Sequence, residues 1–203
     1  MGMKGCVSRA MLAGFALACA APATAQFSDS YSFLKAVREA NGDEAMKYLN
    51  KPGAPVLNTR DPSTGETALH ISVKAHQDNW VGFLLNKGAN TDIKDREGNT
   101  ALHYAALYGD TTAAGYLIGM SAKLNAANNN GETPLILAVH RRDPVIVQQL
   151  IDAGADPKVT DTLTGKSALD YAREDPRGGA VLKLLQNVKP VEKKKVAGPV
   201  IGF

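Results

Sequence analysis

Four segments of this chain repeat one another at nearly constant spacing, and that periodicity limits the fold more than any other feature. They read Gly65-Glu66-Thr67-Ala68-Leu69-His70, Gly98-Asn99-Thr100-Ala101-Leu102-His103, Gly131-Glu132-Thr133-Pro134-Leu135-Ile136 and Gly165-Lys166-Ser167-Ala168-Leu169-Asp170. A second landmark trails the first three: Leu84-Leu85 before Gly88-Ala89, Leu117-Ile118 before Ser121-Ala122, and Leu150-Ile151 before Gly154-Ala155. Two landmarks sharing a period of about 33 residues mark a stack of small units, none of which can bury its apolar face alone.

The chemistry of each unit predicts two helices. Thr67, Thr100, Thr133 and Ser167 stand ahead of apolar runs, where a hydroxyl caps the free N–H groups of a helix start. Pro134 occupies the favoured first helical position. Gly109-Asp110 and Arg142-Asp143-Pro144 supply a turn and a second start, and Gly88 and Gly154 stop the second helix in the left-handed conformation. Ser121 replaces that glycine in the third unit, at an expected cost of about 1 kcal/mol. Stacking would join Leu69, Leu102 and Leu135 to Leu84, Leu117 and Leu150 in one core, and Trp80 is read as part of it.

Thr100-Ala101-Leu102-His103-Tyr104-Ala105 resembles the T-P-L-H-x-A pattern of the ankyrin-repeat family, and the resemblance covers roughly Tyr31 to Asn187. A weaker first copy runs through Phe33, Ala36, Val37, Gly42, Asp43 and Tyr48-Leu49. The resemblance implies an all-α fold, an α-solenoid of about five helix-turn-helix repeats joined by β-hairpin-like turns. The domain would span residues 30–187, with units near 30–60, 61–94, 95–127, 128–160 and 161–187. The longer turns Thr59–Thr64 and Thr160–Thr164 add one or two residues to their hairpins. His70 and His103 take the family's structural histidine position, and His76 stands at the usual glycine, facing solvent.

The family binds other proteins in a groove of hairpin tips and first-helix ends. Carried over by position, the tips are Ser63, Thr64 and Glu66, then Arg96, Glu97 and Asn99, then Asn129, Asn130 and Glu132. The helix ends are Lys74 and Ala75, Leu107 and Tyr108, and His140 and Arg141. Tyr108 and Arg141 are the expected hot spots by residue type. No Ser/His/Asp order, HExxH or phosphate loop follows the leader, so no catalytic, metal or cofactor site is expected.

Residues 1–25 read as a signal peptide. Lys4 and Arg9 give the positive start, Ala10–Ala21 the apolar run, and Ala23-Thr24-Ala25 the small-residue cleavage site. The run is short of the roughly 20 residues a spanning helix needs. Export to the periplasm is expected; secretion, or a lipid anchor on Cys19, is the second reading. Removing Lys4 and Arg9 from 23 basic residues leaves 21 against 20 acidic, so nothing points to nucleic acid. Residues 188–203 are expected to be a solvated, disordered tail, with weak envelope contact through Lys193, Lys194 and Lys195 as the alternative.

Overall fold

A computed structural model describes residues 23–51 and 56–188, with side chains from residue 29 onward. Among them ten helices pair into five units: α1 (Ala23–Arg38) with α2 (Gly42–Leu49), α3 (Ala68–Lys74) with α4 (Asp78–Asn86), α5 (Ala101–Tyr108) with α6 (Thr111–Gly119), α7 (Pro134–Arg141) with α8 (Pro144–Ala153), and α9 (Ala168–Glu174) with α10 (Gly179–Gln186). First helices pack on first helices along the stack, and second on second from α4 to α10. The expected leader lies outside the described residues up to residue 22, as does the tail beyond residue 188 with Lys193, Lys194 and Lys195. The first unit begins before residue 30, because α1 runs from Ala23 through the expected cleavage point.

The caps start the helices where the repeat predicts. Thr133 Oγ1 accepts from Ile136 N at 3.3 Å, and Asp143 and Asp110 cap α8 and α6 through Ile146 N and Ala113 N at 3.3 and 2.9 Å. In α3 and α5 the third helical residue is a histidine. Thr67 N donates to His70 Nδ1 at 3.2 Å and Thr100 N to His103 Nδ1 at 3.1 Å. The other nitrogen of each ring reaches the next unit, His70 Nε2 to Asn99 O at 3.0 Å and His103 Nε2 to Glu132 O at 3.1 Å. A carbonyl only accepts, so Nε2 carries the proton and both rings are neutral.

Six leucines, Leu69, Leu84, Leu102, Leu117, Leu135 and Leu150, are at most 2% exposed and form the spine of one continuous core. Trp80 corrects the expectation that it lies inside. It is only half-buried, edge-on to Phe83 at 5.5 Å, and lines a surface cleft with Met46 and Gly42, because the cleft between α2 and α4 is wider than an indole fills.

Each hairpin is closed across its base by a backbone bond, Asp61 N to Glu66 O, Asp95 N to Asn99 O, Asn128 N to Glu132 O and Asp161 N to Lys166 O, all 2.8–3.0 Å. Neighbouring tips are tied in turn, Arg96 N to Thr64 O, Asn129 N to Glu97 O and Thr162 N to Asn130 O, at 3.0, 3.0 and 2.9 Å. That contact requires glycine at the tip. A Cβ on Gly131, whose φ is 80°, would lie 2.3 Å from Thr162 N.

Left-handed residues end the second helices at Gly88, Gly154 and Ser121, the last at φ 61°. The turns out of the first helices hold three more without glycine, Ala40, His76 and Arg142, at φ 53°, 53° and 58°. Ser121 is thus strained as its sequence position implies. Ser121→Gly should raise stability by about 1 kcal/mol, seen as a rise of about 2–4 °C in Tm by circular dichroism.

Candidate protein-interaction surface

The hairpin turns owe their shape to an Asp or Asn at the same place in each unit. Asp95 Oδ1 accepts from the backbone N–H groups of Glu97 and Asn99, both at 2.9 Å, while Tyr104 Oη donates to Oδ2 at 2.5 Å. Asn128 Oδ1 accepts likewise from Asn130 N and Glu132 N at 3.0 and 2.9 Å. In the two longer turns, Asp61 and Asp161 wrap Ser63, Thr64, Thr164 and Gly165 in the same way. The Ser63 hydroxyl, with the Arg38 guanidinium, holds the Asp61 carboxyl well below the usual range against its burial. The extra residues of these turns are therefore taken up around a carboxylate, and the tips project at fixed angles.

Between the tips of the third and fourth units and the ends of α5 and α7 lies a cleft lined by Arg96, Glu97, Asn99, Leu107, Asn129, Asn130 and Glu132, all anticipated from position, together with Asn128 and Leu137, which were not. Leu107 is 41% exposed and forms the apolar floor with Leu137. Asn129 Nδ2 is committed to Arg96 O at 2.8 Å. Asn130 is exposed and holds only a long 3.3 Å contact to Glu132 Oε2, so its amide keeps free capacity. Arg96 and Glu97 stand exposed at the rim, Arg96 donating to Pro62 O.

Other anticipated residues are placed differently. Glu66 and Asn99 were expected as exposed tips, but they are 8% and 7% exposed. The hairpin turns them inward after Gly65 and Gly98, and each is consumed there: Glu66 takes Lys74 Nζ at 2.5 Å, and Asn99 Nδ2 donates to Glu97 Oε2 at 3.1 Å. Lys74 is thus tied down, and also lies 4.9 Å over the Tyr104 ring. Tyr108 stacks on Tyr104 at 6.0 Å. Arg141 lies against Gly109, where a Cβ would meet its Nε at 2.5 Å, and donates to Leu107 O at 3.3 Å. These two are half structural, so removing both would cost stability as well as surface. His140 stands edge-on to Tyr171 at 4.4 Å with Glu132 Oε1 4.0 Å away, apart from the cleft floor. His76 is exposed as expected, but its ring also touches Tyr108 and approaches Asp110.

Burial pushes the His103 imidazole down to about 4 and lowers that of His70. A histidine depressed in the folded state adds stability that is complete above its unfolded value of 6.5 and is lost as pH falls toward the folded value of about 4. Urea unfolding should accordingly show about 3 kcal/mol less stability at pH 4 than at pH 7 from this group, and His103→Gln should make that loss shallower.

No helix among the described residues is long and apolar enough to cross a membrane. Residues 33–128 match a family model described as ankyrin repeats (3 copies), and residues 118–172 match one described as ankyrin repeats (many copies). The matches overlap at residues 118–128, from the end of α6 into the following hairpin, and together they span residues 33–172. The chain is a member of the ankyrin-repeat family, whose solenoids serve as protein-interaction modules.

Proposed function

We propose that this protein is a non-catalytic adaptor or stabiliser of a protein partner, working in the periplasm after its leader is removed. One observation carries the reading. The polar groups buried in the hairpins are spent on holding the turns, whereas Arg96, Glu97, Leu107 and Asn130 stand exposed around one apolar floor. A small apolar centre inside a rim of charges and amides is the composition of a protein contact. The leader composition supports export.

Leu107→Arg tests the cleft, since it places a charge on the floor from an already exposed position. Thermal unfolding should stay within about 0.5 kcal/mol of the parent. Partner retention by the chain from Gln26 in a periplasmic extract should fall by about 30-fold or more, the size of a hot-spot loss. Retention unchanged by Leu107→Arg but lost on truncation after Asn187 would instead assign the contact to the Lys-rich tail and the envelope. A mature N-terminus other than Gln26, or recovery in the cytoplasmic fraction, would overturn the export part.

A further inference from the structure

Trp80 is the one tryptophan of the chain, and it stands at a repeat position that holds Ala113 and Ile146 in the next two units, both at 0% exposure. An indole is too large for that slot, and part of it turns into the cleft between α2 and α4. Phe83, about one helical turn on, meets it at a centroid distance of 5.5 Å and an angle of 88°, so the two rings form adjoining walls at a right angle. Met46, Asp43 and Asn79 complete the polar and apolar lining. Gly42 leaves the indole edge uncovered: a Cβ there would already touch Trp80 Cζ2, at 4.0 Å.

Asp43 is the one charged residue that lines this cleft. It is exposed, and among the described residues its carboxylate has no hydrogen-bond or ion-pair partner. The neighbouring acids are already occupied, Glu44 holding Lys47 Nζ at 2.5 Å and Glu39 standing 3.8 Å from Lys35. Phe83 shows that these rings accept cations, since Lys87 Nζ lies 5.6 Å over it without lining the cleft. The volume is about 380 Å³, at the small end of the ~300–1,000 Å³ of ligand sites. That suits a small molecule and not a folded partner.

We propose that the cleft between α2 and α4 binds a small quaternary ammonium compound of the choline class, its trimethylammonium head against Trp80 and Phe83 with Asp43 as counter-charge. A quaternary head has no N–H to satisfy, so apolar walls with few acceptors cost it little. The primary ammonium of a lysine is strongly hydrated and would have to shed that water here. Aromatic faces attract such a cation through their quadrupole, and the Met46 thioether adds a polarizable surface. Walls at a right angle fit a rounded head better than a flat ring. A lipid headgroup would also bring a phosphate, and no basic side chain lines the cleft to hold it, so the ligand is the free compound. None of these residues lines the cleft at the hairpin tips, and the proposal therefore goes beyond the interaction-module reading.

Because Trp80 is the sole indole, its fluorescence reports the site directly. Choline titrated into the purified protein at constant ionic strength should change that emission along a saturating curve. The neutral carbon isostere dimethylbutanol has the same shape and should bind about fivefold more weakly, the size of one exposed cation–π contact. Asp43→Asn keeps the reporter and leaves the Asn41 cap of α2 in place. It should weaken choline by about fivefold, as loss of one exposed charge pair does, with an unchanged circular-dichroism spectrum. An equal response to dimethylbutanol, a response without saturation, or choline binding untouched by Asp43→Asn would overturn the proposal. Capture by phosphatidylcholine vesicles with no response to choline would overturn it too, since the ligand would then be a membrane surface. Choline binding and partner retention are read on separate residues, so either reading can fail alone.

Discussion

The stack depends on a bond pattern that one imidazole makes in two directions. His70 and His103 each accept from the capping threonine's backbone at Nδ1 and donate to the next unit's carbonyl at Nε2. A single side chain thus starts its own helix and positions the following hairpin. The bond works only for a neutral ring, which burial guarantees by disfavouring the charged form. Because the linked groups are buried and aligned, they support one another more than isolated surface bonds would.

Toward the ends this device is absent, and weaker ones replace it. The fourth unit has Ile136 and the fifth Asp170 where the histidine would stand. Arg142 spans to Asp175 through two contacts, Nε to Oδ2 at 2.5 Å and Nη2 to Oδ1 at 3.1 Å, and Arg38 reaches Asp61 at 2.6 Å. Such half-exposed pairs contribute about 1 kcal/mol or less each. The cleft lies on the inner units, where histidine bonds set the spacing between successive tips. A rigid spacing there presents Leu107, Asn130 and the rim charges as a formed surface, which lowers the ordering cost of binding.

Most of the architecture was legible because it is written in short-range chemistry. Caps, turn glycines and leucine spacing act within a few residues and recur, so period and helix starts follow directly. The Asp61, Asp95, Asn128 and Asp161 series was equally present, five or six residues ahead of each cap, but its meaning lies in which N–H groups fold around it. Glu66 and Asn99 were misplaced for a related reason. The residue after a tip glycine points inward or outward according to the turn, and here the turn sends it toward Lys74 and Glu97. Trp80 shows the same limit for packing: its position in the repeat is a core position, but the neighbouring helix α2 leaves its face half open.

By itself the sequence determined the number of units, the helix starts and the strain at Ser121, all consequences of local hydrogen bonding and backbone preference. Tertiary structure alone decided which polar residues remain free. Arg141 and Tyr108 are partly spent on Gly109 and Tyr104, and Glu66 and Asn99 are consumed. The reason is that a side chain's availability depends on how its own turn points it and on what the neighbouring stacked unit brings against it, and the identity of the residue sets neither.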